Sequence, residues 1–205
     1  IKRPLPVQAI TNETPPESDL LVLQEAARLI TRSPDTNRCI QGILGLMSQL
    51  LGLNRGRILL PDEDGKLTIK YSYGLTAEEQ QRGRYAFGEG VTGTIFETAQ
   101  VAIIQDIDDE PTYLGRAVER SRLPDEAVAY IAVPILFEDT PIGVMATHRL
   151  RKRERPFQRD LTLLQTLAAF IAQVLRIEQI VKDRTAHLQD ENQALRQRLD
   201  TPGVA

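Results

Sequence analysis

Three glycines near the middle of the chain, Gly88, Gly90 and Gly93, have the G-x-G-x-x-G spacing of a dinucleotide-binding loop. In a dinucleotide fold this loop belongs to a unit of about 30 residues, in which a full crossover helix joins two parallel strands. Residues 84–106 are too few for that unit, and the segment after Gly90 has room for only a short helix. We therefore predict that these glycines do not bind a nucleotide.

The glycines have a conformational explanation instead. Gly88 and Gly90 let a strand turn sharply into a helix at φ values that other residues avoid. Gly93 allows close packing of the short helix, and the carboxylate of Glu89 can interact with the helix N terminus. We interpret residues 88–90 as a turn between a strand and a short helix.

The composition limits the chemistry that the chain can perform. The 205 residues carry a net charge of -3 and 41% are hydrophobic, which suits one domain with some additional chain and gives no sign of a basic nucleic-acid surface. The single cysteine, Cys39, excludes an internal disulfide and a thiolate zinc or iron–sulfur site. With only two histidines we expect no metal site. One thiol and the absence of an apolar run of about 18 residues favour a cytoplasmic protein without a membrane span.

Apolar periodicity and turn residues divide the chain into segments. Residues 1–17 are rich in proline and predict a disordered leader. Two amphipathic helices follow, and residues 57–73 and 130–148 predict two antiparallel hairpins. Between them, residues 106–127 form a polar, irregular segment whose length is typical of functional or mobile loops. The basic residues 151–155 predict a solvated turn, with a docking patch for phosphate or protein as the alternative.

A helical pattern of unusual length occupies the C-terminal part of the chain. In its heptads every d position is aliphatic, and the polar Asn192 at an a position favours two strands in fixed register. We predict a parallel dimeric coiled coil. Its predicted contact residues are Val174, Val181, Leu188, Asn192, Leu195 and Leu199. The alternative is an amphipathic helix packed on its own sheet, which explains residues 163–175 but leaves the d stripe beyond Ile177 uncovered.

Four short motifs occur in an order typical of one family. They are Phe-Gly-Glu-Gly-Val-Thr-Gly at 87–93, Ile-Gln-Asp at 104–106, Tyr-Ile-Ala-Val-Pro-Ile at 130–135 and Ile-Gly-Val at 142–144. Together they resemble the GAF family of small-molecule sensor domains, over residues 18–177. The resemblance implies an α+β fold with an antiparallel sheet of five or six strands. Helices from both ends of the domain would cover one face, and loops would enclose a pocket beside residues 88–90 on the other.

Two segments carry a narrower resemblance, Asp-Glu-Pro-Thr-Tyr-Leu-Gly-Arg at 109–116 and Leu-Asn-Arg-Gly-Arg at 53–57. They are similar to the N-terminal GAF domain of NifA-type, sigma-54-dependent transcription activators. In that family the GAF domain precedes a linker helix, an ATPase domain and a DNA-binding domain, and one branch binds 2-oxoglutarate. The resemblance implies a coiled-coil signalling linker at 178–200, followed by a tail at 201–205.

A dicarboxylate such as 2-oxoglutarate requires fork-shaped cationic donors. If Ile58 and Leu60 face the helices, strand alternation directs Arg57 into the pocket; the alternative is an arginine in solvent. Arg116 lies in the loop that would cover the pocket; the alternative is an ion pair with Asp109 or Glu110. The other candidates lie in this loop or near strand ends, and each can instead be structural: Tyr113, Tyr130 and His148.

Three functions are compatible with these patterns. The first is a regulatory sensor and dimerisation module that controls an ATPase domain outside this chain, together with sigma-54 RNA polymerase and DNA. The second is a GAF interaction module without a ligand that docks a NifL-type flavoprotein or a PII-type signal protein, or the sensor of another signalling protein. The third, an enzyme, is disfavoured because the free-methionine sulfoxide reductases that use this fold need cysteines that the chain lacks, and no nucleophile–base pair follows from spacing.

Overall fold

The computed structural model describes residues 17–33 and 35–199, with side chains through Gln197. The predicted leader and tail lie outside these residues, except for Glu17, which begins the first helix. The helices are α1 (Glu17–Arg32), α2 (Thr36–Leu51), α3 (Ala77–Arg82), α4 (Gly90–Thr98) and α5 (Phe157–Leu199). The strands are β1 (Asn54–Pro61), β2 (Lys66–Ser72), β3 (Arg84–Ala86), β4 (Ala102–Ile104), β5 (Val128–Phe137) and β6 (Thr140–Leu150).

The strands form one six-stranded antiparallel sheet in the order β3-β2-β1-β6-β5-β4. The α+β prediction and both predicted hairpins are confirmed. β5 and β6 pair along nearly their whole length, and Glu138 and Asp139 make their turn at positive φ, as a tight hairpin requires. We call the loop at residues 106–127, which connects β4 to β5, the lid loop.

Each face of the sheet buries its own apolar core. On the helix face, α1, α2 and the first half of α5 pack on residues such as Ile58, Val133 and Met145. On the pocket face, α4 and the lid loop pack on residues such as Leu59 and Val144. Ile58 and Leu59 therefore point in opposite directions, as strand alternation requires. The predicted division into a helix face and a covered face is confirmed.

Local signals in the sequence explain where the helices begin and end. Asp35 caps α2 by accepting hydrogen bonds from the amides of Asn37 and Arg38, and Gly52 ends α2 in a left-handed conformation. The short helix α3 was not predicted, although Thr76 and Glu79 form a reciprocal capping box at its start.

The long helix α5 has two different halves. In the first half, Leu164, Leu167 and Ile171 are fully buried in the helix-face core, as the single-helix alternative predicts, and Val174 packs half-buried against the same core. In the second half, apolar side chains are about half exposed: Ile177, Ile180, Val181, Leu188 and Leu195. The Asn192 side chain donates to the Leu188 carbonyl within the helix, and the side chain of Leu199 lies outside the described residues.

Among the described residues, α5 is the one helix whose length and apolar composition would be sufficient to cross a membrane. Half of its most apolar window is buried inside the fold. A buried core helix meets the same criteria as a membrane span, so this composition follows from packing on the sheet.

Candidate functional site

The pocket face carries a cluster of polar and aromatic side chains from four strands and the lid loop. Its members are Arg57 of β1, Tyr85 of β3, Tyr113 of the lid loop, Tyr130 of β5 and His148 of β6. Tyr130 and His148 are cross-strand partners, with ring centroids 5.4 Å apart, and the Tyr113 ring lies 5.1 Å from that of Tyr130. The structure thus brings together four of the five predicted ligand residues.

Arg57 is the only cation in this cluster and is only 3% exposed. Its Nη1 donates to the Arg55 carbonyl at 3.3 Å, and its guanidinium carbon lies 5.2 Å from the centroid of the Tyr130 ring. The titratable groups that act on it are the hydroxyls of Tyr130, Tyr113 and Tyr85. No carboxylate among the described residues forms an ion pair with Arg57, so its buried charge interacts with neutral groups: the Arg55 carbonyl and the hydroxyls of Tyr130 and Tyr113.

His148 is equally buried and has one unsatisfied nitrogen. Its Nε2 lies 2.7 Å from the Tyr113 hydroxyl, whereas its Nδ1 has no hydrogen-bond partner among the described residues. Burial, followed by the positive charges of Arg57 and Arg55, lowers the pKa of His148 well below its usual value, so the ring is neutral at pH 7. If Tyr113 donates to Nε2, the ring proton is on Nδ1 and forms an unused donor.

Tyr130 is held in place by a hydrogen bond between its hydroxyl and the short helix α4. It shares a 3.1 Å hydrogen bond with Thr92 of α4, and both side chains are buried. This contact ties the short helix to the centre of the sheet. Tyr113 is held differently, because it reaches the cluster from a loop and its hydroxyl interacts with His148 and Arg57.

Arg116, the fifth predicted ligand residue, lies at the rim. Its guanidinium forms an ion pair with Glu89, donates to the Arg84 carbonyl at 2.8 Å and lies over the Tyr85 ring. The ion pair predicted as its alternative, with Asp109 or Glu110, is wrong: the partner is Glu89. The hydrogen bond from Arg116, with one from the Ala86 amide, lowers the pKa of Glu89 to about 2.

The turn at residues 88–90 connects this rim to α4. Gly88 and Gly90 have φ values of 77° and 60°, and a Cβ on Gly93 would lie 2.3 Å from the Ala86 carbonyl oxygen. These are the conformational roles that the sequence predicts. Glu89 is the N-cap residue of α4, but its carboxylate makes no capping hydrogen bond to the helix and instead accepts from the Ala86 amide at 2.8 Å.

The lid loop is packed rather than open. Apolar side chains of the loop are buried in the pocket-face core: Ile107, Ala117, Val118 and Leu123. On the exposed side of the loop, the Nε of Arg120 donates to the two carboxylate oxygens of Asp108 at 2.9 and 3.0 Å. The loop therefore covers the Arg57 cluster, and Tyr113 is the lid side chain that enters it.

A second charged cluster, on the helix face, escaped the sequence analysis. Arg149 of β6 donates to Asp160 of α5 at 2.6 Å with both side chains fully buried. Arg155 binds the other oxygen of Asp160 and makes a two-pronged contact with Asp19 of α1 at 2.7 and 3.1 Å. The prediction that 151–155 is a solvated turn is therefore wrong for Arg155.

The thiol of Cys39 lies in the helix-face core, and burial raises its pKa. It is the one cysteine of the chain and is on the face opposite to the Arg57 cluster. A thiolate nucleophile is therefore not part of this site.

Comparison with known proteins agrees with this architecture. Nitrogen fixation proteins AnfA and VnfA of Azotobacter vinelandii are 32% and 33% identical to the chain over 88% of its length. The chain spans about a third of each relative, 34% and 35%. A Nif-specific regulatory protein of Herbaspirillum seropedicae is 29% identical over 88% of the chain and 34% of the relative.

Solved structures share the fold at low identity. The nlh2 GAF domain of A. aeolicus in an inactive state superposes with a TM-score of 0.70 at 17% identity, over 78% of this chain and 97% of that one. A free methionine-R-sulfoxide reductase from Neisseria meningitidis gives a TM-score of 0.65, also at 17% identity, over 80% and 91%. The GAF domain family model matches residues 35–175. The predicted resemblance is confirmed: the chain belongs to the GAF domain family, and its curated relatives are Nif-specific regulatory proteins.

Proposed function

We propose that this chain is the regulatory sensor domain of a nitrogen-fixation-type, sigma-54-dependent transcription activator. It binds a small metabolite such as 2-oxoglutarate and controls an ATPase domain outside this chain. The relatives support the regulatory setting. The observation that carries the proposal is Arg57, a buried guanidinium without a carboxylate partner among the described residues. An unpaired buried charge costs stability, so its presence indicates a role in binding an anion.

A path leads from this cluster to α5. Successive strand residues point to opposite faces, so His148 lies in the pocket while Arg149 binds Asp160 in the first turn of α5. A ligand that repositions His148 therefore acts on the strand that anchors the long helix. The ligand shifts the helix only as far as its affinity differs between the two arrangements.

The second half of α5 supplies the output. We infer that a second copy of the chain covers the exposed apolar side chains of this half in a parallel coiled coil. Apolar residues recur there at the d positions, and the polar Asn192 lies at an a position, where it favours two strands in fixed register. Dimerisation would then pass the state of the pocket to the following domains, sigma-54 RNA polymerase and DNA. This setting is cytoplasmic, without a membrane, metal or resident cofactor.

Sedimentation equilibrium tests the dimer. We expect Leu188→Glu to convert the dimer to a monomer at micromolar concentration, because a charge at a d position cannot be buried in the seam. Ala186→Glu, which introduces the same charge at the neighbouring b position, is the matched control and should remain dimeric. A wild-type chain that is monomeric at 100 µM contradicts the coiled-coil proposal.

Calorimetry tests the ligand. Titration of 2-oxoglutarate into the wild-type chain should give saturable heat, and succinamide, a neutral four-carbon compound, should give none. No heat at millimolar 2-oxoglutarate eliminates this metabolite as the effector, and other small carboxylates can then be compared in the same format.

A second function is favoured by the contact between Tyr113 and His148, which fills part of the pocket with the chain's own side chains. In this alternative the domain has no ligand and docks a NifL-type flavoprotein or a PII-type signal protein. Calorimetry with each purified partner distinguishes the two functions, because only a docking module binds the partner without 2-oxoglutarate present.

The geometry offers no support for catalysis. The reductase neighbour has this fold, but the one thiol of the present chain is buried on the opposite face. We propose that the domain is not an enzyme. Absence of methionine sulfoxide reduction by the purified chain, against an active reductase as control, checks this.

A further inference from the structure

Two groups that can bind an anion lie in one cluster beneath the lid loop. Arg57 interacts with the Arg55 carbonyl and with the hydroxyls of Tyr130 and Tyr113, and it forms no ion pair among the described residues. His148 is 2% exposed, and its Nδ1 has no partner there. A buried polar atom without a partner costs about 1–3 kcal/mol, which is why most such atoms are satisfied. An unsatisfied nitrogen in the same cluster as a buried cation without a carboxylate indicates a missing binding partner.

We propose that Arg57 and His148 form a subsite for a single carboxylate group, and that the Tyr113 side chain occupies part of this subsite until a carboxylate displaces it. The inference rests on the proposed sensing function and names the group that the sensor recognises. The Tyr113 hydroxyl interacts with Arg57 as well as with His148, so Tyr113 is an internal competitor carried by the lid, and a carboxylate that pairs with Arg57 requires it to leave the guanidinium.

The chemistry of the cluster selects a carboxylate. One guanidinium supplies a single positive charge and a planar fork that matches two carboxylate oxygens. The neutral His148 adds a donor but no charge when its proton is on Nδ1. A doubly charged phosphate monoester would bury a second negative charge without a cation to balance it, which is costly.

The structure distinguishes the displaceable tyrosine from the fixed one. Tyr130 lies on β5, is 1% exposed and shares a hydrogen bond with Thr92. Tyr113 is half-buried, and its hydroxyl interacts only with groups of the cluster itself, His148 and Arg57. Residues 108–116, which lie between the buried Ile107 and Ala117, include no buried side chain and are fastened by exposed pairs, Arg116 with Glu89 and Arg120 with Asp108. Exposed ion pairs contribute about 0–1 kcal/mol each, so they permit this segment to move while the rest of the lid loop stays packed.

Imidazole nitrogen NMR tests the subsite directly, since the chain contains only two histidines, His148 and His187. Sodium propionate is the probe, propionamide is its neutral analogue and inorganic phosphate is the alternative anion. Propionate should shift the Nδ1 resonance of His148 in the wild type, while that of His187, exposed on α5, stays in place. Propionamide and phosphate should produce no saturable shift at the same ionic strength.

Variants test the competition. Tyr113→Ala should lower the propionate concentration at half-saturation about tenfold, and Tyr113→Phe, which keeps the ring, about threefold, as expected for the loss of one hydrogen bond. Leu114→Ala, an exposed residue of the same loop, is the control and should match the wild type. Arg57→Met should abolish the shift.

Equal responses to propionate and propionamide, no gain in either Tyr113 variant, or an undiminished shift in Arg57→Met would each overturn the subsite. A failure of the subsite and a failure of the proposed function give different results. If 2-oxoglutarate gives no heat but propionate shifts His148 more readily in Tyr113→Phe, the subsite stands and the effector is a different carboxylate. If 2-oxoglutarate binds and Tyr113 has no effect, the sensor stands and the competition is wrong.

Discussion

Two buried arginines lie on opposite faces of the same sheet, and their surroundings differ. Arg149, on the helix face, is 1% exposed, binds Asp160 at 2.6 Å and donates to the carbonyls of Arg155 and Arg153 at 2.8 and 2.9 Å. Arg57, on the pocket face, is 3% exposed and interacts with the Arg55 carbonyl at 3.3 Å and with tyrosine hydroxyls, but with no carboxylate among the described residues. The first arginine has its partners within the chain, whereas the second lacks one that a ligand can supply.

The difference assigns separate tasks to the two faces. On the helix face, the Arg149–Asp160–Arg155–Asp19 cluster joins β6, α5 and α1, so it fixes where the long helix leaves the domain. On the pocket face, the cluster around Arg57 has a cation and no carboxylate. Removing one charge from each cluster should therefore have opposite effects on stability.

The largest effect is expected at Asp160. Asp160→Ala leaves Arg149 as an uncompensated buried cation and should lower the free energy of unfolding by about 3–5 kcal/mol. Urea unfolding followed by circular dichroism measures the loss. Asp64→Ala is the control, because its pair with Arg84 is exposed and should contribute less than about 1 kcal/mol. Similar losses at the two positions would show that burial of the pair is unimportant.

Removal of the buried charge on the pocket face should stabilise the fold. Arg57→Met keeps an apolar side chain of similar length beside Tyr130 and removes a cation that has no carboxylate partner. We expect the free energy of unfolding to rise by about 1–2 kcal/mol. A loss of stability comparable to that in Asp160→Ala would mean that Arg57 is as structural as Arg149.

A smaller loss is expected within the pocket face itself. Tyr130→Phe leaves the buried Thr92 hydroxyl without its 3.1 Å partner and should cost about 1 kcal/mol. Tyr73→Phe, which removes an exposed hydrogen bond to Gln49, should change stability by less than about 0.5 kcal/mol. No difference between the two variants would indicate that α4 is held by apolar packing alone.

The smallest effect concerns pH at the rim. The pKa of Glu89 is lowered from 4.5 to about 2, so its contact with Arg116 stabilises the folded lid above pH 4.5 and is lost as the pH falls from about 4.5 toward 2. The hydrogen-exchange protection factor of the Ala86 amide, which is corrected for the intrinsic pH dependence of exchange, should fall in that range. The Glu89→Gln variant should show no such step, and a step that persists there would assign the pH dependence to another carboxyl group.

Patterns within short segments of the sequence predicted the features that depend on neighbouring residues alone. Alternation in β1 placed Arg57 on the covered face, and the glycine spacing in a short segment predicted the turn before α4. The ion pair between Arg155 and Asp19 could not be predicted, because its partners are 136 residues apart and meet only when α1 packs beside α5. The Arg116–Glu89 pair was not predicted either. The lid loop folds back over the turn at residues 88–90, so Arg116 pairs with Glu89 and not with Asp109 or Glu110, which are closer to it in sequence.

The central claim is that Arg57 remains unpaired within the chain because a ligand carboxylate is its partner. Calorimetric titration of 2-oxoglutarate into the wild-type chain and into Arg57→Met, at equal concentration and ionic strength, tests it most directly. We expect saturable heat for the wild type and binding weaker by about 10- to 100-fold in the variant, the effect of losing hydrogen bonds to a charged group. The same affinity in both proteins would contradict it.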